Sequence, residues 1–311
     1  MKKLILLVFT LAFVTSCDNE PIDSAYTQGG GGSTGGGNGS ESADLTLSVY
    51  ELDSQINVVF FGLPIESITN SSFNIANDKI ISGTNALSAN GSPFENENLS
   101  ITRNASGQIT SNISVNTAGI TTNETIINYT NGVVSNITYD YYDDDDEDYN
   151  YNFTYDGNTI TRTEEGSTIS TVFTVDGSDR IIKKESFEGG SSIQTETVAY
   201  NAAGNITSST ITGEIQRNIV FQFDNNINPI KVIFEDNYLL TFLEDDYSDE
   251  IGGQIAQFFS TNNWNAATYD GVAYNFDLTY NSAGRIETRD IAYNFGPELS
   301  FIFNERFSYV N

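Results

Sequence analysis

The residues in this sequence best equipped for chemistry are carboxylates, and they come in runs. Asp143, Asp144, Asp145, Asp146, Glu147 and Asp148 are six consecutive acids, flanked by Tyr139, Tyr141, Tyr142, Tyr149 and Tyr151. Hard oxygen ligands on a flexible loop suit calcium, so this run is a candidate calcium site, and calcium is the one cofactor the sequence suggests. The EF-hand spacing, with its central glycine and twelfth-position glutamate, is absent. The plainer reading is a solvated hairpin loop, because blocks of like charge repel and extend. A second cluster comprises Glu244, Asp245, Asp246, Asp249 and Glu250. Two carboxylates roughly 5–10 Å apart would serve a glycosidase, but 42 acids offer too many pairs for abundance to single one out. The lone Trp264, with Tyr139 and Tyr141, supplies candidate ligand-binding aromatics for stacking on sugar rings; the plainer reading is packing at a sheet edge.

What is missing narrows the chemistry. There is no histidine, which removes the commonest general base and the Ser-His-Asp and Cys-His arrangements. Cys17 is the only cysteine, so no internal disulfide or paired-cysteine site exists. Thirteen Lys and Arg against 42 Asp and Glu give a formal charge of −29, a surface that repels phosphate backbones and excludes nucleic acid as a partner.

The elements that must position these side chains begin after a targeting segment. Lys2 and Lys3 precede an apolar run from Leu4 to Val14, too short to span a bilayer, and residues 1–16 read as a signal peptide. The junction Val14-Thr15-Ser16-Cys17 resembles the bacterial lipobox, which implies acylation of Cys17 and attachment to a membrane through a lipid anchor. The acids that follow, Asp18, Glu20 and Asp23, resemble the surface-export signal of Bacteroidota lipoproteins. That resemblance implies an outer-membrane protein facing the cell exterior. Asp23-Ser24-Ala25 likewise resembles an O-glycosylation site of that phylum. Residues 17–43 form an acidic, glycine-rich tether, whose stretch GGGGSTGGGNGS (29–40) has no apolar side chain to offset its ordering entropy.

From residue 44 to 311 the period is two. Leu45, Leu47 and Val49 alternate with polar residues, as do Tyr149, Tyr151, Phe153 and Tyr155. Asn131-Gly132, Asp156-Gly157, Asp176-Gly177 and Asp270-Gly271 mark expected two-residue hairpin turns. A short helix fits the spacing of Ile251, Ile255, Phe258 and Phe259. A pattern also recurs: FTYDGNTI (153–160), FTVDGSDRI (173–181), VAYNAAGNI (198–206), FQFDNNINPI (221–230) and LTYNSAGRI (278–286). Its third positions step by 20, 25, 23 and then 57 residues, and the long gap encloses KVIFEDNYLLTF (231–242), read as a degenerate copy. A unit of 20–25 residues is one β-hairpin. The string Tyr-Asp-x-x-Gly-x-Ile is similar to the YD repeat, and FDNNINPIKVI (223–233) looks like an element of YD-like flavobacterial lipoproteins. The resemblance covers about residues 125–311 and implies an antiparallel sheet of successive hairpins in a surface lipoprotein. The few irregular copies do not extend it to the large toxin-encapsulating shells.

The fold expected is therefore all-β, an antiparallel hairpin meander of about 18–22 strands curled into a barrel-like or two-layer sheet. The function expected is that of a non-enzymatic surface lipoprotein with a binding or structural role, its partner a glycan or a protein. The alternative is a carboxylate-dependent polysaccharide hydrolase.

Overall fold

A computed structural model describes residues 46–142, 148–235, 238–243 and 247–310. Cys17, the glycine-rich tether, Asp143 to Glu147 and Glu244 to Asp246 lie outside the described residues.

The chain is almost entirely antiparallel strand. The first fourteen strands are β1 (Leu47–Phe60), β2 (Leu63–Ala76), β3 (Lys79–Ala89), β4 (Ser92–Arg103), β5 (Ile109–Asn116), β6 (Thr121–Thr130) and β7 (Val133–Tyr141), then β8 (Tyr149–Asp156), β9 (Thr159–Glu164), β10 (Ile169–Val175), β11 (Ile181–Glu188), β12 (Ser191–Tyr200), β13 (Ile206–Gly213) and β14 (Arg217–Ile227). Five more follow a helical insert: β15 (Asn262–Tyr269), β16 (Val272–Asn275), β17 (Asp277–Tyr280), β18 (Ile286–Asn294) and β19 (Leu299–Tyr309). Strands pair with their sequence neighbours, and β19 returns to β1 with Phe307 opposite Tyr50 and Phe301 opposite Ile56. The meander is thereby nearly closed into a barrel, and closure removes the exposed edges of an open sheet. One seam remains. β16 and β17 are a single run interrupted at Phe276; its first half bonds to β15 and its second to β18. Tyr269 and Tyr274 pack edge-on against Tyr293 across that seam, and the Tyr274 hydroxyl donates to the Asn294 carbonyl at 3.3 Å.

The repeat has a physical basis. Its isoleucine faces inward and stands at the start of the strand after the turn at Ile109, Ile160, Ile181, Ile206 and Ile286, all at most 2% exposed, whereas in the copy at 221–230 the buried Ile230 leads into a helix instead. Its tyrosine ties neighbouring hairpins together. The hydroxyls of Tyr129, Tyr155, Tyr200 and Tyr309 donate to the carbonyls of Ile109, Val134, Ile181 and Ile286 at 2.7–2.9 Å. The Asx residue builds the turn. In Asn104, Asn116, Asp176, Asn201 and Asn281 the side-chain oxygen accepts from the backbone two and four residues on. These are Asx-turns. The residue three positions on is left-handed, a glycine at Gly107, Gly119, Gly204 and Gly284 but an aspartate at Asp179.

Two of the expected hairpin turns are corrected by this geometry. Asp176-Gly177 belongs to a five-residue Asx-turn whose left-handed residue is Asp179, and the turn after β8 is Gly157-Asn158 rather than Asp156-Gly157. Asn131-Gly132 and Asp270-Gly271 are two-residue turns with both residues left-handed, as the sequence suggests.

Residues 231–242 do not form a degenerate repeat. They carry α1 (Lys231–Glu235) and α2 (Tyr238–Leu243), and the expected helix at 251–259 is α3 (Ile251–Gln254), continuing as a π-helical turn over Ile255–Phe259. This insert leaves and rejoins the sheet at one end. Ile230, Ile233, Phe234, Phe242, Leu243, Ile251, Ile255 and Phe259 are all buried. It touches strands spread around the ring: Phe234 packs on Tyr50 of β1, Arg162 of β9 donates to the Leu243 carbonyl at 3.1 Å, and Gln257 donates to Glu305 of β19 at 3.1 Å. Barrels of 16–18 strands are too wide for wall side chains alone to fill. Here the insert packs inside the ring against β1, β9, β11, β12 and β19.

Candidate functional site

The meander assigns every turn to one of two rims. Thr46 and Val310, the ends of the described chain, are bonded to each other at one rim, the base, through Val310 N–H to the Thr46 carbonyl at 3.0 Å. The Asx-turns at Asn104, Asp176, Asn201 and Asn281 and the isoleucine layer lie there too. The opposite rim carries the hairpin tips β1–β2, β3–β4, β5–β6, β7–β8, β9–β10, β11–β12, β13–β14, β15–β16 and β18–β19. Tyr142 and Asp148, which flank the acidic run, stand at this tip rim.

Tyr139 and Tyr141 share the inward face of β7 with buried Ile137, and both are half-buried. Tyr139 lies opposite Tyr149, and their rings stack at 5.0 Å between centroids; Tyr149 stacks on Tyr151 at 4.4 Å, and the Arg162 guanidinium lies 4.3 Å over Tyr151. The three rings thus use faces against one another. The column is more a source of hydroxyls and ring edges than a flat platform. Beside it on the inner wall, Glu97 accepts from Thr122 and Asn123, among buried Asn112, Ser114 and Thr125. Asp148 is exposed, and its Oδ1 accepts the Tyr141 backbone N–H at 2.7 Å, a loop-closing bond. Among the described residues no group of three or more acids is placed to hold a metal ion; Asp143 to Glu147 lie outside those residues.

Trp264 requires a correction. It is 3% exposed, its ring packs edge-on against Phe276 at 4.8 Å, and its indole N–H donates to the Ala266 carbonyl at 2.9 Å. The structure makes it a core residue of β15 and gives it no face for a sugar ring.

Sequence reasoning missed the buried polar lining that holds the insert. Glu196 of β12 is buried and accepts from Ile251 N–H at 2.7 Å, Gly252 N–H at 2.8 Å and Ser209 Oγ at 2.5 Å. Gly252 permits this approach: a Cβ there would lie 2.7 Å from the Ser209 Cβ. Lys184, Ser186 and Gln194 donate to the carbonyls of Asp249, Tyr247 and Ser248 at 2.9, 2.6 and 2.8 Å. Glu250 pairs with Arg217. Burial pushes the Glu250 carboxyl up to about 7; Arg217 pulls it down, while Glu196, Asp270 and Asp249 push it further up. Burial also raises Glu196, despite its hydrogen bonds and the nearby Lys184. A second node joins Arg289 to Glu305 by two bonds, with Tyr50 donating to the same carboxylate at 2.6 Å. The only sequence signal for either node is the interruption of apolar alternation by charge, as at Lys184, Glu196 and Arg289.

Comparisons with known proteins bear on the fold alone. No family model matches the sequence, and no curated protein matches it. Among solved structures, the chain is similar to a porin-like protein from Bacteroides uniformis at 11% identity, covering 86% of this chain and 98% of that one, with a TM-score of 0.46. It is also similar to a porin-like protein from Bacteroides vulgatus at 12% identity, covering 68% and 94%, with a TM-score of 0.28. A third is the TcdB2-TccC3 toxin structure, at 12% identity and a TM-score of 0.29, where the match covers 76% of this chain but only 14% of the other.

Outward positions are polar along strand after strand: Asn150, Asn152 and Thr154 on β8, Thr195 and Thr197 on β12, Thr210 and Thr212 on β13. A membrane-spanning barrel needs an apolar outer band about 25 Å tall. This barrel has a mostly polar outer wall, interrupted by Ile81, Ile126 and Val220, and an apolar interior crossed by buried polar nodes.

Proposed function

We propose that the chain is a lipid-anchored cell-surface protein whose barrel is a non-enzymatic binding module, with the tip rim as its contact face. One observation carries the reading: both ends of the described chain leave from the base rim, so neither described end crosses the opposite rim. A mostly polar outer wall and an insert packed inside the ring support a water-soluble module over a channel. The hydrolase alternative draws no support from Glu250 and Glu196, the carboxylates of the insert site that burial raises. Glu250 is paired with Arg217, and its neighbour Glu196 is spent on the backbone of the insert.

A protein partner fits exposed apolar tips best, while the half-buried inward tyrosines favour a glycan as the second reading. Incubating the chain with a polysaccharide panel separates them. Retention lost in Tyr139→Ala supports the glycan reading, and no retention on any glycan supports a protein partner. Release of reducing sugar abolished by a carboxylate substitution would overturn the non-enzymatic reading.

A further inference from the structure

The tip rim differs from the base in two independent ways. Large apolar side chains are exposed on most of its hairpins, including Phe61 (85% exposed), Leu63, Phe94 (66%), Ile215, Val272 and Phe295. The base turns, by contrast, are mainly Asn, Asp, Ser, Ala and Gly, with Gln108, Arg180 and Arg285 closing three of them, and the exposed apolar side chains at that end, Ile81, Ile227, Val232 and Val310, lie on strands, the insert and the chain end rather than on turns. Clustered exposed apolar side chains rimmed by polar ones mark interaction surfaces. The second difference is charge. The loops that join strands at this rim contain no lysine or arginine, and Arg217, which opens β14 there, is paired with Glu250, while Asp148, Glu165, Glu188, Glu214, Asp270 and Glu298 are exposed at the rim.

Between the β1–β2 and β18–β19 tips lies a cleft of about 400 Å3. Val59, Pro64, Pro297 and Leu299 give it aliphatic walls, and Asn57, Ser300 and the half-buried Glu66 give it a polar side. Asn90 from the neighbouring tip fixes the Glu66 backbone, accepting its N–H at 2.9 Å and donating its own N–H to the Glu66 carbonyl at 2.9 Å. An aliphatic slot ending in a carboxylate suits a long cationic side chain, which buries its methylene stem and keeps its charged head at the polar side.

Resting on the reading of this rim as a binding face, we propose that its partner is a protein surface carrying lysine or arginine among apolar residues. One such cation enters the cleft and pairs with Glu66. Phe61, Leu63 and Phe295 cover the apolar residues around it, the arrangement of a buried anchor ringed by water-excluding contacts.

The test is fluorescence anisotropy of a labelled peptide of alternating leucine and lysine, titrated with the full-length chain, alongside the same peptide with glutamine for lysine. The lysine peptide is expected to bind about tenfold more tightly than the glutamine peptide. Glu66→Gln is expected to remove about fivefold or more of that advantage, and Glu214→Gln, an exposed acid elsewhere on the rim, less than about twofold. Equal effects of the two substitutions would overturn the cleft assignment and leave the rim as a diffuse acidic contact. Unchanged binding in the doubly substituted Phe61→Ser, Phe295→Ser chain would overturn the rim itself as the binding face. Tip-dependent binding to phosphatidylcholine vesicles, or tip-dependent self-association in sedimentation, without peptide binding would replace the protein partner with a lipid surface or a second copy.

Discussion

Raising the pH from 5 to 8 is expected to weaken the hold of the wall on the helical insert, and Glu250 sets the size of the effect. In the unfolded chain its carboxyl ionises with an ordinary value of 4.5, whereas in the barrel burial holds it at about 7. Between those values the folded chain keeps a proton that the unfolded chain has released, so stability is greatest at the acid end and falls as pH rises through 7. At about 1.4 kcal/mol per tenfold change, full ionisation costs the fold about 3 kcal/mol. That corresponds to roughly 5–10 °C in melting temperature for a domain of this size. Glu196, raised in the same direction, adds to the trend. The assay is scanning calorimetry at low salt between pH 5 and 8 on the wild type and on Glu250→Gln. The glutamine chain should lose most of the slope and melt higher at pH 8. A wild-type melting temperature that is flat or rises with pH, or an equal slope in the variant, would refute the placement of Glu250 in a desolvated site.

Further outcomes follow from the repeat and the buried pairs. Tyr200→Phe removes only the bond to the Ile181 carbonyl and should cost about 1 kcal/mol in urea denaturation. Asp179→Gly relieves the one non-glycine left-handed residue among the five Asx-turns and should stabilise by about 0.5–1 kcal/mol in the same assay. Glu305→Gln strips the charge partner from fully buried Arg289 and should cost about 3–5 kcal/mol, far more than substitution of the exposed pair Arg306 and Asp290. Millimolar calcium should raise the melting temperature modestly by relieving repulsion in the acidic run, and neutralising Asp143 to Asp148 should abolish the gain. A clickable fatty acid should label the wild type and leave Cys17→Ser unlabelled.

Strand periodicity, turn dipeptides and the recurring isoleucine were legible because each is a local demand of the backbone. A buried face needs alternation, a left-handed position needs Gly, Asn or Asp, and the first inward residue after a turn needs an apolar side chain. Asp176-Gly177 misled because Asp-Gly satisfies both a two-residue turn and the start of an Asx-turn. The choice between them is made by Asp179 and Arg180, whose N–H groups close the longer loop. Trp264 misled for another reason. Its neighbours in sequence are polar, and what buries it is Phe221 and Phe276, on the strands to either side.

The insert was the least legible element, and the cause is global. Nothing local in KVIFEDNYLLTF decides between a strand and a pair of short helices, because its apolar residues fit either period. The decision comes from the width of the ring. So many strands, closed upon themselves, enclose more volume than inward isoleucines can occupy, and an unfilled interior would forfeit contacts across its whole lining. The 57-residue step between the last two repeat copies, together with the helical spacing at Ile251, Ile255, Phe258 and Phe259, is the trace of this in the sequence. That step is the interval in which the chain leaves the wall, packs inside the ring and returns. The polar residues that interrupt the apolar wall, Arg162, Lys184, Ser186, Gln194 and Glu196, then have a common cause. Each meets a backbone group of the insert that its own short helices leave unpaired, so wall and filling satisfy each other's polar atoms where no sheet or helix ladder can.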